Sequence, residues 1–111
     1  MLQTLVAYLP TLLLTLLLEA AVVAAIARRG ERALVVRVCL ALNLLTHPLA
    51  TLLRWQWQPE VLATEALVVF CEWLGYAQIL RCTLPRALWF ATAANAVSWF
   101  AGVVWWAVTV H

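Results

Sequence analysis

Glu19, Glu65, Glu72, His47, Asn43, Asn95 and Ser98 all lie within stretches that are otherwise almost wholly apolar. Ionisable groups in such surroundings are costly, and where they persist they mark ion paths, proton relays or binding sites. The chain has no lysine to neutralise the carboxylates. They must hold protons because they are poorly solvated, or gain a cation: a protonated His47, Arg37, a metal or a transported ion. His47, Glu65 and Glu72 have the donor types of a divalent metal site. The spacing lends that no support, because neither HExxH nor the Glu-x-x-His pair of di-iron bundles occurs. No cofactor is assigned; a divalent metal would have those three ligands. No catalytic pair, nucleotide loop or nucleic-acid motif is evident, so an enzyme ranks behind a binding protein and nucleic acid is no expected partner.

The composition explains why these groups stand out. Hydrophobic residues make up 67% of the 111 residues and charged residues 11%. Soluble domains are roughly 45–50% apolar and about 25% charged, so this chain lacks the polar surface to cover a core in water. It reads as an integral membrane protein whose first partner is the bilayer. The three cysteines, Cys39, Cys71 and Cys82, form no CxxC or Cys/His ligand spacing. They read as small apolar side chains.

A spanning helix needs about 20 mostly apolar residues. Residues 5–27, 33–53, 61–80 and 87–110 qualify, giving one transmembrane domain over 1–111. The first run does not read as a cleavable leader. It lacks a basic start, Glu19 interrupts it, and it exceeds the usual ~7–15 apolar residues. The breaks are short: a charged turn with Gly30, then two polar stretches containing Pro59 and Pro85, with Pro59 placed to open the third helix. Short connections make neighbouring helices antiparallel. The expected fold is an all-α, four-helix transmembrane bundle.

Arg28, Arg29, Arg32, Arg81 and Arg86 fall on the first and third connections, and only Arg54 on the second. The positive-inside rule makes 28–32 and 81–86 cytoplasmic and puts both termini outside. Trp55, Trp57, Trp105 and Trp106 then mark the outer interface and Trp89 the inner one. Trp73 and Trp99 fall near mid-membrane, where they pack between helices or face lipid or a partner.

Helix rise sorts the polar groups by depth. Asn43 and Ser98 lie near the midplane, with Glu19, Glu72 and Asn95 within about 5 Å of it on the inner side. His47 and Glu65 lie about 6–8 Å outward, and Arg37 roughly 9 Å inward. Asn43 and His47 are four apart, as are Thr15 and Glu19. Glu65 and Glu72 are seven apart on a stripe that Tyr76 extends, and Asn95, Ser98 and Gly102 share a face. Two layers are expected: an inner one of Glu19, Asn43, Glu72, Asn95 and Ser98, bonded across the bundle, and an outer pair, His47 with Glu65. Gly102, with Ala94 and Ala101, is expected to let backbones approach closely. Pro48 frees a carbonyl near Leu44 as a further acceptor.

The combination of Asn43-Leu44-Leu45-Thr46-His47-Pro48, the Glu65/Glu72 spacing with Tyr76, and Asn95-Ala96-Val97-Ser98 with Gly102 resembles a pattern in uncharacterised small four-helix bacterial membrane proteins. The resemblance covers the second to fourth segments and implies a bacterial inner-membrane location. It implies that the residue before the proline is histidine or asparagine, which argues against an obligatory metal ligand there. It brings no activity with it.

The function expected is binding or translocation of a proton, cation or small polar solute. Glu65 and Glu72 would carry the charge, and His47, Asn43, Asn95, Ser98, Tyr76 and Glu19 would line the site. The alternative is an accessory subunit of a larger respiratory or photosynthetic membrane complex, or a homo-oligomer. There the polar groups only clamp helices, a role that suits Glu19 in particular. A water-filled cavity reaching Glu72 would favour the first.

Overall fold

The computed structural model describes residues 2–57 and 60–110. Pro59 and His111 lie outside the described residues. Four helices account for nearly all of the rest: α1 (Leu2–Ile26), α2 (Arg32–Trp57), α3 (Val61–Leu80) and α4 (Leu84–Val110), with a 3-10 turn at Arg29–Glu31. No strand occurs among the described residues.

The helix ends differ from the apolar runs where polarity and helix-breaking part company. α2 runs through Arg54-Trp55-Gln56-Trp57 because none of these residues breaks a helix. It also runs through Pro48. α4 starts before Pro85, a residue tolerated in a first turn. Thr83 caps it, its Oγ1 accepting from Arg86 N at 3.4 Å. Between α1 and α2, Arg28 N donates to Glu31 Oε1 at 2.9 Å and fixes the turn. α3 ends on Arg81 in the left-handed region, φ 52° and ψ 38°.

Three described stretches are long and apolar enough to cross a membrane: Tyr8–Ile26, Arg29–Trp57 and Leu84–Thr109. That marks the chain as a membrane protein. α3 has 20 residues but carries Glu65, Glu72 and Gln78, and it falls short of that measure. Four spans were expected, counting 61–80 as mostly apolar.

The helices close into a ring. α1 packs on α2, α2 on α3, α3 on α4 and α4 on α1, with no diagonal contact among the described residues. The long dimension is 41 Å, close to the ~39 Å of a 26-residue helix, so the helices run lengthwise. The core fills one half, towards the 28–32 and 81–86 connections. Val23, Ala27, Val35, Cys39, Tyr76, Ala87, Phe90 and Ala91 are buried there. The close approach is at Gly75, not at Gly102. A Cβ on Gly75 would come within 2.5 Å of Leu42 Cδ2, whereas one on Gly102 would meet nothing within 4 Å. Gly102 lies in the other half, where the helices stand apart.

Candidate functional site

Each helix sends polar groups to the centre. Glu19 of α1 and Glu72 of α3 are both 0% exposed, although each is a carboxylate. Asn95 of α4 donates through Nδ2 to Glu72 Oε1 at 2.5 Å and to Ala91 O at 2.8 Å. Thr46 of α2 donates to the other Glu72 oxygen at 3.5 Å. Ser98 of α4 donates to Glu19 Oε2 at 2.8 Å, with Asn95 O 3.2 Å away. Groups at similar estimated depth thus bond across the ring through Glu72–Asn95 and Glu19–Ser98.

Asn43 departs from that expectation. Its Nδ2 turns back to Cys39 O at 2.8 Å and Cys39 Sγ at 3.4 Å, within its own helix. Its Oδ1 is buried with no hydrogen-bond partner, and so are Glu19 Oε1 and Asn95 Oδ1.

His47 also departs from it. Its Nε2 lies 3.4 Å from Glu19 Oε2, an ion-pair separation without hydrogen-bond alignment. No ion pair joins it to Glu65 among the described residues. Both side chains instead line one cavity of about 750 Å³ between the four helices, at the end where α1 and α3 begin and α2 and α4 finish. Thr15, Arg54, Trp55, Ser98 and Gly102 line it too. Trp55 and Arg54 are exposed at its rim. Its floor is His47 and Ser98, and buried Glu19 contacts both. Glu72 does not line it.

Tyr76 belongs to the packed half, not to this lining. It is 1% exposed and lies against Phe90, ring centroids 5.6 Å apart. Arg37 is exposed and makes no ion pair among the described residues. Trp73 donates to Leu84 O at 2.8 Å and joins α3 to the start of α4. Trp99 lines the cavity and also a groove of about 470 Å³ between α3 and α4, where Glu65 is again a neighbour. The cysteines are all free. Among the described residues no group of three or more His, Cys, Asp or Glu side chains is arranged to hold a metal, so His47, Glu65 and Glu72 are not gathered into one.

Two contributors were not nominated from sequence. Thr46 stands in the sequence only as part of the Asn43–Pro48 pattern, although its place beside His47 puts it within reach of α3. Glu31 is the only acid on the arginine-rich connections, which was a usable signal. Both its oxygens accept from Arg86, whose guanidinium also sits 5.0 Å over Phe90. That clasp closes the packed end.

Comparison with known protein families, curated proteins and solved structures finds no match to this chain.

Proposed function

We propose that this chain is a small integral membrane protein that binds, and passes across the bilayer, a proton, cation or small polar solute. The observation that carries the reading is the cavity of about 750 Å³. It ends on His47 and Ser98, each of which touches a carboxylate that is 0% exposed. Its volume falls within the ~300–1,000 Å³ of small-molecule sites. A helix clamp alone requires no such vestibule. Glu65, part-exposed on its wall, is the first charge an incoming solute meets, and Glu19, which meets His47 and Ser98, is the inner station; the cavity stops short of Glu72, so the reading rests on Glu19 and not on the route to Glu72 first expected.

In this reading all four helices cross the membrane as an antiparallel bundle. α3 crosses despite its carboxylates because α2 and α4 flank it and Glu72 faces inward. The arginine-rich connections are cytoplasmic, in a bacterial inner membrane, and the cavity opens outward. The packed end, with the Glu31–Arg86 clasp, is the closed gate.

The test is access. A water-soluble carbodiimide added outside intact cells should label Glu65. Gly102→Phe places a ring in the cavity at a position where a Cβ meets nothing, and it should suppress that labelling at least tenfold without lowering protein yield. If Glu65 stays unlabelled in the wild type, and Glu65→Gln with Glu72→Gln leaves assembly with other membrane proteins unchanged, the accessory-subunit reading replaces this one.

A further inference from the structure

We propose that the solute is a lipophilic cation, a positive centre carried on apolar groups, and that it enters from the bilayer through the groove between α3 and α4. This deepens the reading above, and rests on it for the passage from the groove into the cavity.

The cavity and the groove share a wall. Glu65 of α3 and Trp99 of α4 line both the space of about 750 Å³ and the space of about 470 Å³. The two spaces therefore meet at the α3–α4 seam. Glu65 is half-buried there and Trp99 is 47% exposed. Leu62 and Phe70 of the groove are exposed as well. The groove thus opens on the outer face of the bundle, which is lipid in this reading. One carboxyl group stands at the meeting point of a polar vestibule and the acyl chains.

The lining of the groove calls for an apolar body. Phe70 and Trp73 stand edge to face, ring centroids 6.2 Å apart and planes at 79°. Trp73 is fixed further by its bond to Leu84 O. Trp99 adds a third ring. The polar members are Glu65, Thr92 and Asn95, and Asn95 Nδ2 is already given to Ala91 O and Glu72 Oε1. A volume of about 470 Å³ falls in the range of small-molecule sites. A small hydrated ion gains nothing from such a wall. A lipid tail or a second copy of the chain would fill it, but would leave the Glu65 carboxyl facing hydrocarbon, because that group has no hydrogen bond or ion pair among the described residues.

The sign of the charge follows from what lines the groove. Among the described residues no arginine, lysine or histidine does. Arg54 and His47 enter the cavity from α2 and line the cavity only. Aromatic faces attract a cation through their quadrupole, whatever the state of a nearby acid. Glu65 need not be ionised beforehand, because a cation beside a carboxyl group favours its charged form. An anion would meet ring faces and carboxyl oxygens with no basic side chain to offset them.

The experiment measures binding of radiolabelled tetraphenylphosphonium to the full chain in detergent by equilibrium dialysis, against protein-free micelles. Binding should saturate. Tetramethylammonium has the charge without the rings, and triphenylphosphine oxide the rings without the charge. Each should need at least a tenfold higher concentration than unlabelled tetraphenylphosphonium to displace the label. Equal displacement by the phosphine oxide overturns the proposal, since the groove then holds any apolar body, and equal displacement by tetramethylammonium overturns it in favour of a small ion. These wild-type comparisons need no variant to fold. Glu65→Gln should weaken binding at least tenfold, and so should Ala96→Trp, at an exposed position on the groove. Ala96→Trp should leave carbodiimide labelling of Glu65 from water in place, because that route runs through the cavity. Absence of binding, with Ala96→Trp changing the oligomeric state, overturns the proposal and makes the face a contact between copies. Labelling without binding overturns lipophilic-cation entry alone. Binding without labelling supports the groove and overturns the water-filled route alone.

Discussion

Asn95 bonds its own helix and Glu72 at once, so its loss is felt on α3. Interhelical hydrogen bonds in membranes average about 0.6 kcal/mol. Stripping a donor from a buried acceptor costs about 1–3 kcal/mol. Because Glu72 is fully buried, Asn95→Leu should fall in the second range, and in a double-mutant cycle Asn95→Leu with Glu72→Leu should couple by about 1 kcal/mol. Reversible unfolding in mixed detergent measures both; additive effects would show that the two side chains act separately. Depth along each helix placed Glu19, Glu72, Asn95 and Ser98 in one layer, but which of them pair, Glu72 with Asn95 and Glu19 with Ser98, was not legible in the sequence. Depth misassigned His47, because it was reckoned at the backbone. Helical side chains lean towards their own N-terminus. His47 therefore leans into the molecule and Glu19, on α1 running the other way, leans out to meet it. Glu65 leans towards the cavity mouth, away from His47. The Asn43 turn back to Cys39 had no spacing signal, since an amide can bond its own helix four residues back or a neighbour equally well.

Helix existence was legible because the apolar runs are long and the breaks between them are charged or hold proline. Helix ends were less so, because hydrocarbon thickness and helix propensity are separate properties. Arg54 and Trp57 leave the apolar run without leaving α2. Close approach was the element-scale property read at the wrong residue. Gly102 shares a face with Asn95 and Ser98, but the ring has already opened at its level. Gly75 sits where α2 and α3 are tight against Leu42. Two substitutions separate the cases. Gly75→Val drives branched carbon into Leu42 and should cost about 1–3 kcal/mol, the usual range for overpacking. Gly102→Val meets no neighbour and should be neutral or slightly stabilising, through the lower helix propensity of glycine. Thermal melts of the two variants check this, and equal destabilisation would mean that the halves are packed alike.

The whole molecule is asymmetric along its 41 Å length. One end is shut by the apolar core, the Glu31–Arg86 clasp and the Trp73 bond to Leu84 O. The other end holds the cavity, with Glu65 on its wall and Arg54 at its rim. Which compartment the cavity serves therefore depends on the chain's orientation, which contacts within the protein do not set. Arginine distribution does: Arg28, Arg29, Arg32, Arg81 and Arg86 lie at the shut end and Arg54 alone at the open one. Each basic residue kept in the cytoplasm biases insertion, and short connections of this kind are where the bias counts most. The shut end should face the cytoplasm and both termini the outside. A reporter fused after His111 that fluoresces only in the cytoplasm should stay dark, and one active only outside should be active. A second fusion, inserted at Gly30, should give the opposite pair of signals. If the His111 fusion fluoresces, the cavity opens to the cytoplasm, Glu65 meets cytoplasmic solutes first, and the carbodiimide must be applied from that side. The contacts of Glu19 with His47 and Ser98 would keep their place in the middle either way, so the inner station would survive the reversal while the direction of entry would not.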